Sequence, residues 1–114
     1  MVLLGENLQE ELYVMLLDTK NRIIGTEMVY RGTVDTVPVR GIELFRGAIE
    51  KNATSLILCH CHPSGIVEPS PEDILMTSRI VQAGELLELT ILDHIITPKG
   101  QWTSLKERGL GFKR

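Results

Sequence analysis

The chain has 114 residues, a formal net charge of −3 and 43% hydrophobic residues, which together fit one globular domain spanning residues 1–114. The negative charge argues against a domain built mainly to bind nucleic acid, because such domains carry clustered positive charge. No stretch reaches the ~18 apolar residues of a membrane helix, and the N-terminus lacks the pattern of a secretory signal. We therefore expect a cytoplasmic protein with reduced thiols.

The first two apolar runs predict a β-hairpin. Residues 12–17 are continuously apolar, residues 18–21 are polar and typical of a turn, and residues 23–30 carry further β-branched side chains. The two strands are expected to be antiparallel, because a tight turn joins them. Residues 32–37 predict an irregular connection.

A helix is predicted to begin at Pro38, because proline is favoured in the first helical turn. Apolar side chains then recur at helical spacing and predict one buried face, formed by Ile42, Phe45 and Ile49 with Leu44 and Ala48 beside them. Asn52 is a suitable end for this helix.

The next segment predicts a central strand that runs into two histidines. Residues 55–59 are continuously apolar, as expected of a strand buried on both faces. His60, Cys61 and His62 follow directly. Pro63 should end the strand, because it has no N–H for the sheet ladder.

A second helix is predicted to begin after the loop at residues 64–69. Ser70 is a favoured N-cap, Pro71 suits the first helical position, and Asp73 falls in the first turn, where acidic side chains are stabilising. The predicted buried face of this helix consists of Met76, Ile80, Ala83 and Leu87.

The remaining segments predict a strand at residues 90–96, a turn at residues 98–100 and a short strand at residues 102–105. Helices alternate with strands along the chain. The fold class is therefore α/β, with helices packed on a mixed sheet.

The histidine segment carries the chemistry. Side chains alternate faces along a strand, so His60 and His62 can point the same way, and the loop returns the chain to Asp73. Two histidines, one carboxylate and an open position are the pattern of a catalytic zinc site. Bound zinc lowers the pKa of a water to about 7. A further carboxylate would still be needed to move the proton.

Other readings of these residues stay open at this point. Ser70 and Asp73 also suit an ordinary capped helix that binds no metal. Cys59 and Cys61 should face away from the two histidines and fill the interior as small apolar side chains. Asp93 and His94 form either a pair that supports the site or a purely structural pair.

The spacing His60-x-His62, seven residues, Ser70, two residues, Asp73 resembles the signature of the JAMM (MPN) metalloproteases. The wider context is similar to the RadC family, a bacterial branch of that superfamily, from about residue 10 to residue 110. The segments that carry the likeness are residues 17–22, 31–33, 62–65, 69–73, 83–87, 92–95 and 104–109.

The resemblance implies a cytidine-deaminase-like α/β/α sandwich with a mixed β-sheet. It also implies that His60, His62 and Asp73 are the ligands of a Zn²⁺ cofactor. Ser70 would help to stabilise the oxyanion of a tetrahedral intermediate.

Similar metalloproteases use a glutamate just before the first long strand as the general base. Glu10 is favoured here, because it stands two residues before Leu12, the first large apolar residue of that strand, as in RadC-like chains. Glu11 is the reserve, and Glu27 on the second strand is a third candidate. A solvated surface glutamate is the alternative for each.

This chain departs from the RadC pattern at two points. Cys61 stands where RadC-like chains usually carry Asn, a change that is tolerable if the side chain points away from the metal. Full-length RadC-like proteins also have an N-terminal helix–hairpin–helix region, which we expect to be absent here. Any DNA-binding role of that region is not carried over.

We therefore expect a zinc-dependent hydrolase, a metallopeptidase or isopeptidase with a protein or peptide substrate. One alternative is a DNA-repair-associated factor or nuclease, which the charge does not support. Another is a noncatalytic interaction module, although such modules usually lose their ligands. A zinc deaminase is set aside, because the sequence lacks the H-x-E and P-C-x-x-C motifs. No membrane association is expected, and a dimer would be unsurprising.

Overall fold

A computed structural model describes residues 10–32, 41–62, 67–98 and 100–112. In chain order these form β1 (Glu10–Leu17), β2 (Ile23–Gly32), α1 (Gly41–Glu50), β3 (Ser55–Cys61), α2 (Pro71–Leu87), β4 (Thr90–Ile96), β5 (Thr103–Ser104) and α3 (Leu105–Arg108). The strands make one sheet in the order β2-β1-β3-β4-β5. The α/β class with a mixed sheet is confirmed.

The predicted hairpin is confirmed as β1 and β2, which pair antiparallel. The Asp18 side chain closes the turn, because its carboxylate accepts hydrogen bonds from the backbone N–H groups of Lys20 and Arg22. Asn21 takes a positive φ of 60° there, a conformation that asparagine tolerates better than most residues.

The two central strands set the position of the histidines. β3 lies between β1, to which it is antiparallel, and β4, to which it is parallel. The carboxyl ends of β3 and β4 and the amino end of β1 therefore meet at one edge of the sheet. Thr97 extends this edge, since its N–H donates to the carbonyl of His60 at 2.9 Å.

Both long helices contribute to one apolar core, which places them against the same face of the sheet. The core contains residues of β1 (Leu12, Val14, Leu16), β3 (Leu56, Leu58), α1 (Leu44, Phe45, Ala48) and α2 (Ile80). Burial of such side chains stabilises the fold by about 1.5–3 kcal/mol each.

The predicted buried face of α1 is wrong in part. Phe45 is buried together with Leu44 and Ala48, whereas Ile42 and Ile49 are 58% and 59% exposed. Each residue turns the helix by about 100°, so a stripe drawn through Ile42 and Ile49 is displaced from the true face. The predicted start at Pro38 lies outside the described residues.

The predicted start of α2 is confirmed, but one position of its buried face is wrong. Ser70 is the N-cap and Pro71 opens the helix. Leu87 is 50% exposed, and the buried face instead includes the polar Asp73 and Thr77. An apolar pattern cannot identify the polar members of this face, which are stabilised by hydrogen bonds.

A short strand and a short helix are the last elements of the described chain. The predicted strand at residues 102–105 is shorter, because Ser104 is already the N-cap of α3 and accepts a hydrogen bond from the N–H of Glu107.

Among the described residues, no helix combines the length and apolar character that crossing a membrane requires.

Candidate metal centre

Three potential metal ligands project from one face at the edge where β1 and β3 meet. Glu10 opens β1, His60 lies near the end of β3, and His62 follows β3 directly. Leu12 is opposite His60 in the antiparallel register. Glu10 and His62 each lie two residues further toward this edge, so the alternation of side chains places them on the face of His60.

The donor atoms of these three residues converge. Oε1 of Glu10 lies 2.6 Å from Nε2 of His60 and 3.9 Å from Nε2 of His62. One donor atom from each residue falls within 4.8 Å of the other two. Glu10 and His60 are buried and His62 is nearly so, which protects the cluster from bulk water.

Asp73 brings a second carboxylate to the same histidines. Its Oδ1 lies 3.3 Å from Nδ1 of His60, and its Oδ2 lies 3.3 Å from Nε2 of His62. The contact between Oδ1 of Asp73 and Nδ1 of His60 has the distance of an ion pair but not the geometry of a hydrogen bond. Nδ1 of His60 therefore has no hydrogen-bond partner among the described residues.

The helix cap holds Asp73 in this position. The N–H of Ser70 donates to Oδ2 of Asp73 at 2.8 Å, and the N–H of Asp73 donates to Oγ of Ser70 at 3.0 Å. This reciprocal pair is a capping box. The cap and the ligand interpretations of Ser70 and Asp73 are compatible, because Asp73 caps the helix while it faces both histidines.

The electrostatics of the cluster favour a positive charge at its centre. Burial lowers the pKa of His60, but the carboxylates of Asp73 and Glu10 outweigh burial and raise it to about 9. Burial raises the pKa of Asp73, but His60, His62 and the N–H of Ser70 outweigh burial and hold it well below its usual range. A protonated His60 therefore balances the carboxylates in the absence of a metal.

The donor set fits zinc, which binds imidazole nitrogen and carboxylate oxygen. The two histidines are common to two possible ligand sets. Asp73 completes the set predicted from sequence, and Glu10 completes the group whose atoms all lie within 4.8 Å of one another. The carboxylate that is not a ligand would lie beside the metal, where a general base is needed.

Ser70 has a hydroxyl hydrogen to offer at this site. Its oxygen accepts from the N–H of Asp73 at 3.0 Å, and that bond does not use the hydroxyl hydrogen. Ser70 itself is half-buried. A hydroxyl in this position can donate a hydrogen bond to an anionic oxygen.

The other two glutamates considered in the sequence lie elsewhere. Glu11 points to the opposite face of the sheet, where its Oε2 lies 2.7 Å from a guanidinium nitrogen of Arg31 and its Oε1 accepts from the hydroxyl of Tyr13. Glu27 lies on β2 and pairs with Lys51 at 3.3 Å. The structure therefore brings Glu10, and neither Glu11 nor Glu27, to the histidines.

The cysteines lie on the face opposite the histidines, as the alternation of β3 predicted. Cys59 is opposite Tyr13 in the register with β1, and its Sγ lies 3.8 Å from Sδ of Met15. Burial raises the pKa of the Cys59 thiol, which favours the protonated form. Cys61 is 1% exposed and contributes to the interior.

Asp93 and His94 face different sides of β4 and have separate functions. Asp93 accepts a hydrogen bond from the Ser104 hydroxyl at 2.6 Å and another from the N–H of Lys106, so it holds β5 and α3. His94 is fully buried beside His60, with ring centroids 5.8 Å apart and an angle of 27° between the planes. Burial, reinforced by the charge of His60, lowers the pKa of His94 to about 3.

Thr77 is a residue of this region that sequence analysis missed. It is fully buried on α2 between Asp73 and His94. Its hydroxyl donates to the backbone carbonyl of Asp73 at 2.7 Å, and Nδ1 of His94 lies 2.5 Å from the same hydroxyl oxygen. The available signal was a polar residue four positions after Asp73, on the side of the helix that faces the sheet.

Comparison with known proteins gives a family match over most of the chain. Residues 1–110 match the family model described as RadC-like JAB domain. A protein of Chloroflexus aggregans named "UPF0758 protein" is 46% identical over 105 residues, which cover 92% of this chain and 46% of that protein. A protein of the same name from Clostridium botulinum is 48% identical over 101 residues, 89% of this chain and 44% of that protein. The chain thus spans less than half the length of these relatives.

Proposed function

Since this chain belongs to the RadC-like JAB domain family, we propose that it is a zinc-dependent hydrolase that cleaves an amide bond, as a metallopeptidase or isopeptidase. The observation that carries the proposal is the convergence of Glu10, His60, His62 and Asp73 at one edge of the sheet. Four potential ligands in one place are more than a helix cap requires.

His60, His62 and Asp73 would hold the metal, with Glu10 beside it. Asp73 is the better ligand of the two carboxylates, because the capping box fixes its orientation through the N–H of Ser70. Lewis acidity is what bound zinc supplies, and it makes water a stronger nucleophile near neutral pH.

Glu10 would act as general base and then as general acid. Its carboxylate takes the proton of the attacking water and passes it to the nitrogen of the departing amine. This role is supported by the position of the Glu10 carboxylate, whose Oε1 lies 2.6 Å from Nε2 of His60. Ser70 would donate its hydroxyl hydrogen to the oxygen that becomes negative during the attack.

The proposed substrate class is inferred from the chemistry of the site. A water attack assisted by one carboxylate and one hydroxyl donor suits a peptide or isopeptide carbonyl. We propose a protein or peptide substrate. The negative net charge of −3 gives no support for a nucleic acid as the main partner.

The first test is zinc content after the protein is loaded with zinc and desalted. We expect near-stoichiometric zinc in the parent and its loss in His62→Ala and Asp73→Ala. A set of quenched fluorescent peptides and lysine-linked isopeptides would then be assayed with the zinc protein and with Glu10→Gln. Absence of zinc from the fully loaded parent would contradict the proposal and favour a noncatalytic module.

A further inference from the structure

Two fully buried polar side chains next to the metal centre take no part in the proposed reaction. Thr77 lies on α2 and His94 on β4, and neither is exposed to solvent. Burying a hydroxyl or an imidazole is unfavourable unless the group is hydrogen-bonded. The partners of Thr77 and His94 therefore indicate what the pair does.

Only one assignment of donors and acceptors satisfies both hydrogen bonds of the pair. The backbone carbonyl of Asp73 can only accept, so the single hydroxyl hydrogen of Thr77 is donated to it at 2.7 Å. Nδ1 of His94, 2.5 Å from the same hydroxyl oxygen, must then carry a hydrogen and donate it. A continuous chain of hydrogen bonds runs from β4 through His94 and Thr77 to the backbone of Asp73.

The same imidazole also contacts the other ligand-bearing element. His94 is paired with Leu58 in the parallel register of β3 and β4, and its ring stacks beside that of His60 with centroids 5.8 Å apart. Nε2 of His94 has no hydrogen-bond partner among the described residues. The orientation of the ring therefore depends on Thr77 on one side and on packing beside His60.

We infer that Thr77 and His94 form a positioning pair, which sets the separation between Asp73 and His60 and thereby the affinity of the centre for a divalent metal. His60 lies on β3 and Asp73 on α2, so their separation depends on contacts between the two elements. The pair joins α2 to β4, and the His94 ring of β4 stacks beside His60 of β3, so the contact links the two ligand-bearing elements through β4. This inference rests on the metal centre proposed above and adds two residues that touch neither metal nor substrate.

The test uses matched variants that keep or remove each hydrogen bond. Thr77→Val removes the hydroxyl at nearly constant volume, and Thr77→Ser retains it. His94→Leu removes the donor, and His94→Asn retains an N–H near the position of Nδ1. Zinc affinity would be measured by competition with a chromophoric chelator, and ligand geometry by the visible absorption of the Co²⁺-loaded protein.

We expect Thr77→Val and His94→Leu each to weaken zinc binding by about 10–100-fold and to change the Co²⁺ spectrum, as loss of a residue that orients a ligand does. Thr77→Ser and His94→Asn should recover most of the affinity. The double variant Thr77→Val/His94→Leu should be no weaker than the worse single variant, because both changes break one chain of bonds.

The possible outcomes separate this inference from the proposed function. If the parent binds neither zinc nor Co²⁺, the proposed function fails and the inference fails with it. If the parent binds metal and Thr77→Val stays within about two-fold of its affinity with an unchanged spectrum, the positioning role alone is overturned. Urea unfolding of each variant identifies any that does not fold, and Thr77→Val decides the question if His94→Leu is such a variant.

Discussion

Oε1 of Glu10 lies 2.6 Å from Nε2 of His60, although 50 positions separate the two residues in the chain. The antiparallel pairing of β1 with β3 brings them together, and both are buried. Glu10 is thus close enough either to ligate a metal held by His60 or to exchange a proton beside it. The two roles make different predictions for substitution.

The first prediction separates the roles of the two carboxylates. Glu10→Gln should retain zinc and lower hydrolysis by on the order of 10²–10⁴-fold, because the amide keeps the shape of the side chain but cannot act as a base. Asp73→Asn should lose zinc, because an amide oxygen is a poorer ligand. Zinc analysis and peptide assays on the same samples measure both effects. If Glu10→Gln loses zinc and Asp73→Asn keeps it, then Glu10 is the metal ligand and Asp73 is the general base.

The second prediction concerns Glu11, which is the neighbour of Glu10 on the other face of the sheet. Glu11→Gln should leave zinc content unchanged and reduce the free energy of unfolding by about 1–3 kcal/mol, because a buried carboxylate that binds Arg31 and Tyr13 is lost. Zinc analysis and urea unfolding test this. The variant is the matched control for Glu10→Gln, and loss of zinc from it would mean that the faces of β1 are assigned wrongly.

Strand alternation and a helix cap are local features, which is why His60, His62 and Asp73 could be singled out from the sequence. The choice between Glu10 and Glu11 depended on family resemblance, because both precede the first apolar run. The register of β1 against β3 supplies the physical reason, since a shift of one residue moves a side chain to the opposite face.

The faces of the helices were harder to predict than their positions. Ile42 and Ile49 are exposed because periodicity locates a face only to within about one residue, or 100° of rotation. Thr77 was missed, because its position four residues after Asp73 shows only which side of the helix it occupies, and its role depends on a partner on another element. That partner, His94, lies 17 positions further along the chain.

The third prediction is that zinc binding releases a proton. Asp73 and Glu10 raise the pKa of His60 to about 9, so His60 is protonated near pH 7.5 in the metal-free protein and must become neutral to bind zinc. Titration calorimetry in two buffers of different ionisation enthalpy should show release of at least about one proton per zinc. A release close to zero would show that His60 is already neutral without metal.

The raised pKa of His60 also determines how zinc affinity changes with pH. Between about pH 9 and pH 6.5, zinc affinity should fall roughly ten-fold for each unit of acidification, because one proton competes for His60. The raised pKa also stabilises the folded metal-free protein fully below pH 6.5, and that stabilisation is lost as the pH rises through 9. Glu10→Gln removes one of the carboxylates responsible, so it should release fewer protons at pH 8.

The fourth prediction concerns stability in acid. His94 has a pKa of about 3 in the folded protein and an ordinary value of 6.5, so between these pH values only the unfolded chain takes up its proton. The metal-free parent should therefore lose roughly 1 kcal/mol of stability per pH unit on acidification from 6.5 toward 4.5 through this residue. Urea unfolding at these pH values should show a smaller loss for His94→Asn. Equal losses in both proteins would rule out His94 as the source.

The fifth prediction compares two buried helical glycines, Gly47 on α1 and Gly84 on α2. A Cβ at Gly47 would meet the carboxylate of Glu27, which lies at the end of a flexible side chain and can move away. A Cβ at Gly84 would meet the backbone oxygen of Leu89, which cannot move without disturbing the connection into β4.

Gly47→Ala should therefore be neutral or stabilise the protein by up to about 1 kcal/mol through helix propensity, at the expense of the contact between Glu27 and Lys51. Gly84→Ala has the same propensity gain but should destabilise the protein by about 1–3 kcal/mol, because the clash is with backbone. Urea unfolding of the two variants measures the difference. If Gly84→Ala is as stable as Gly47→Ala, the backbone at Leu89 is not held as closely against α2 as the structure shows.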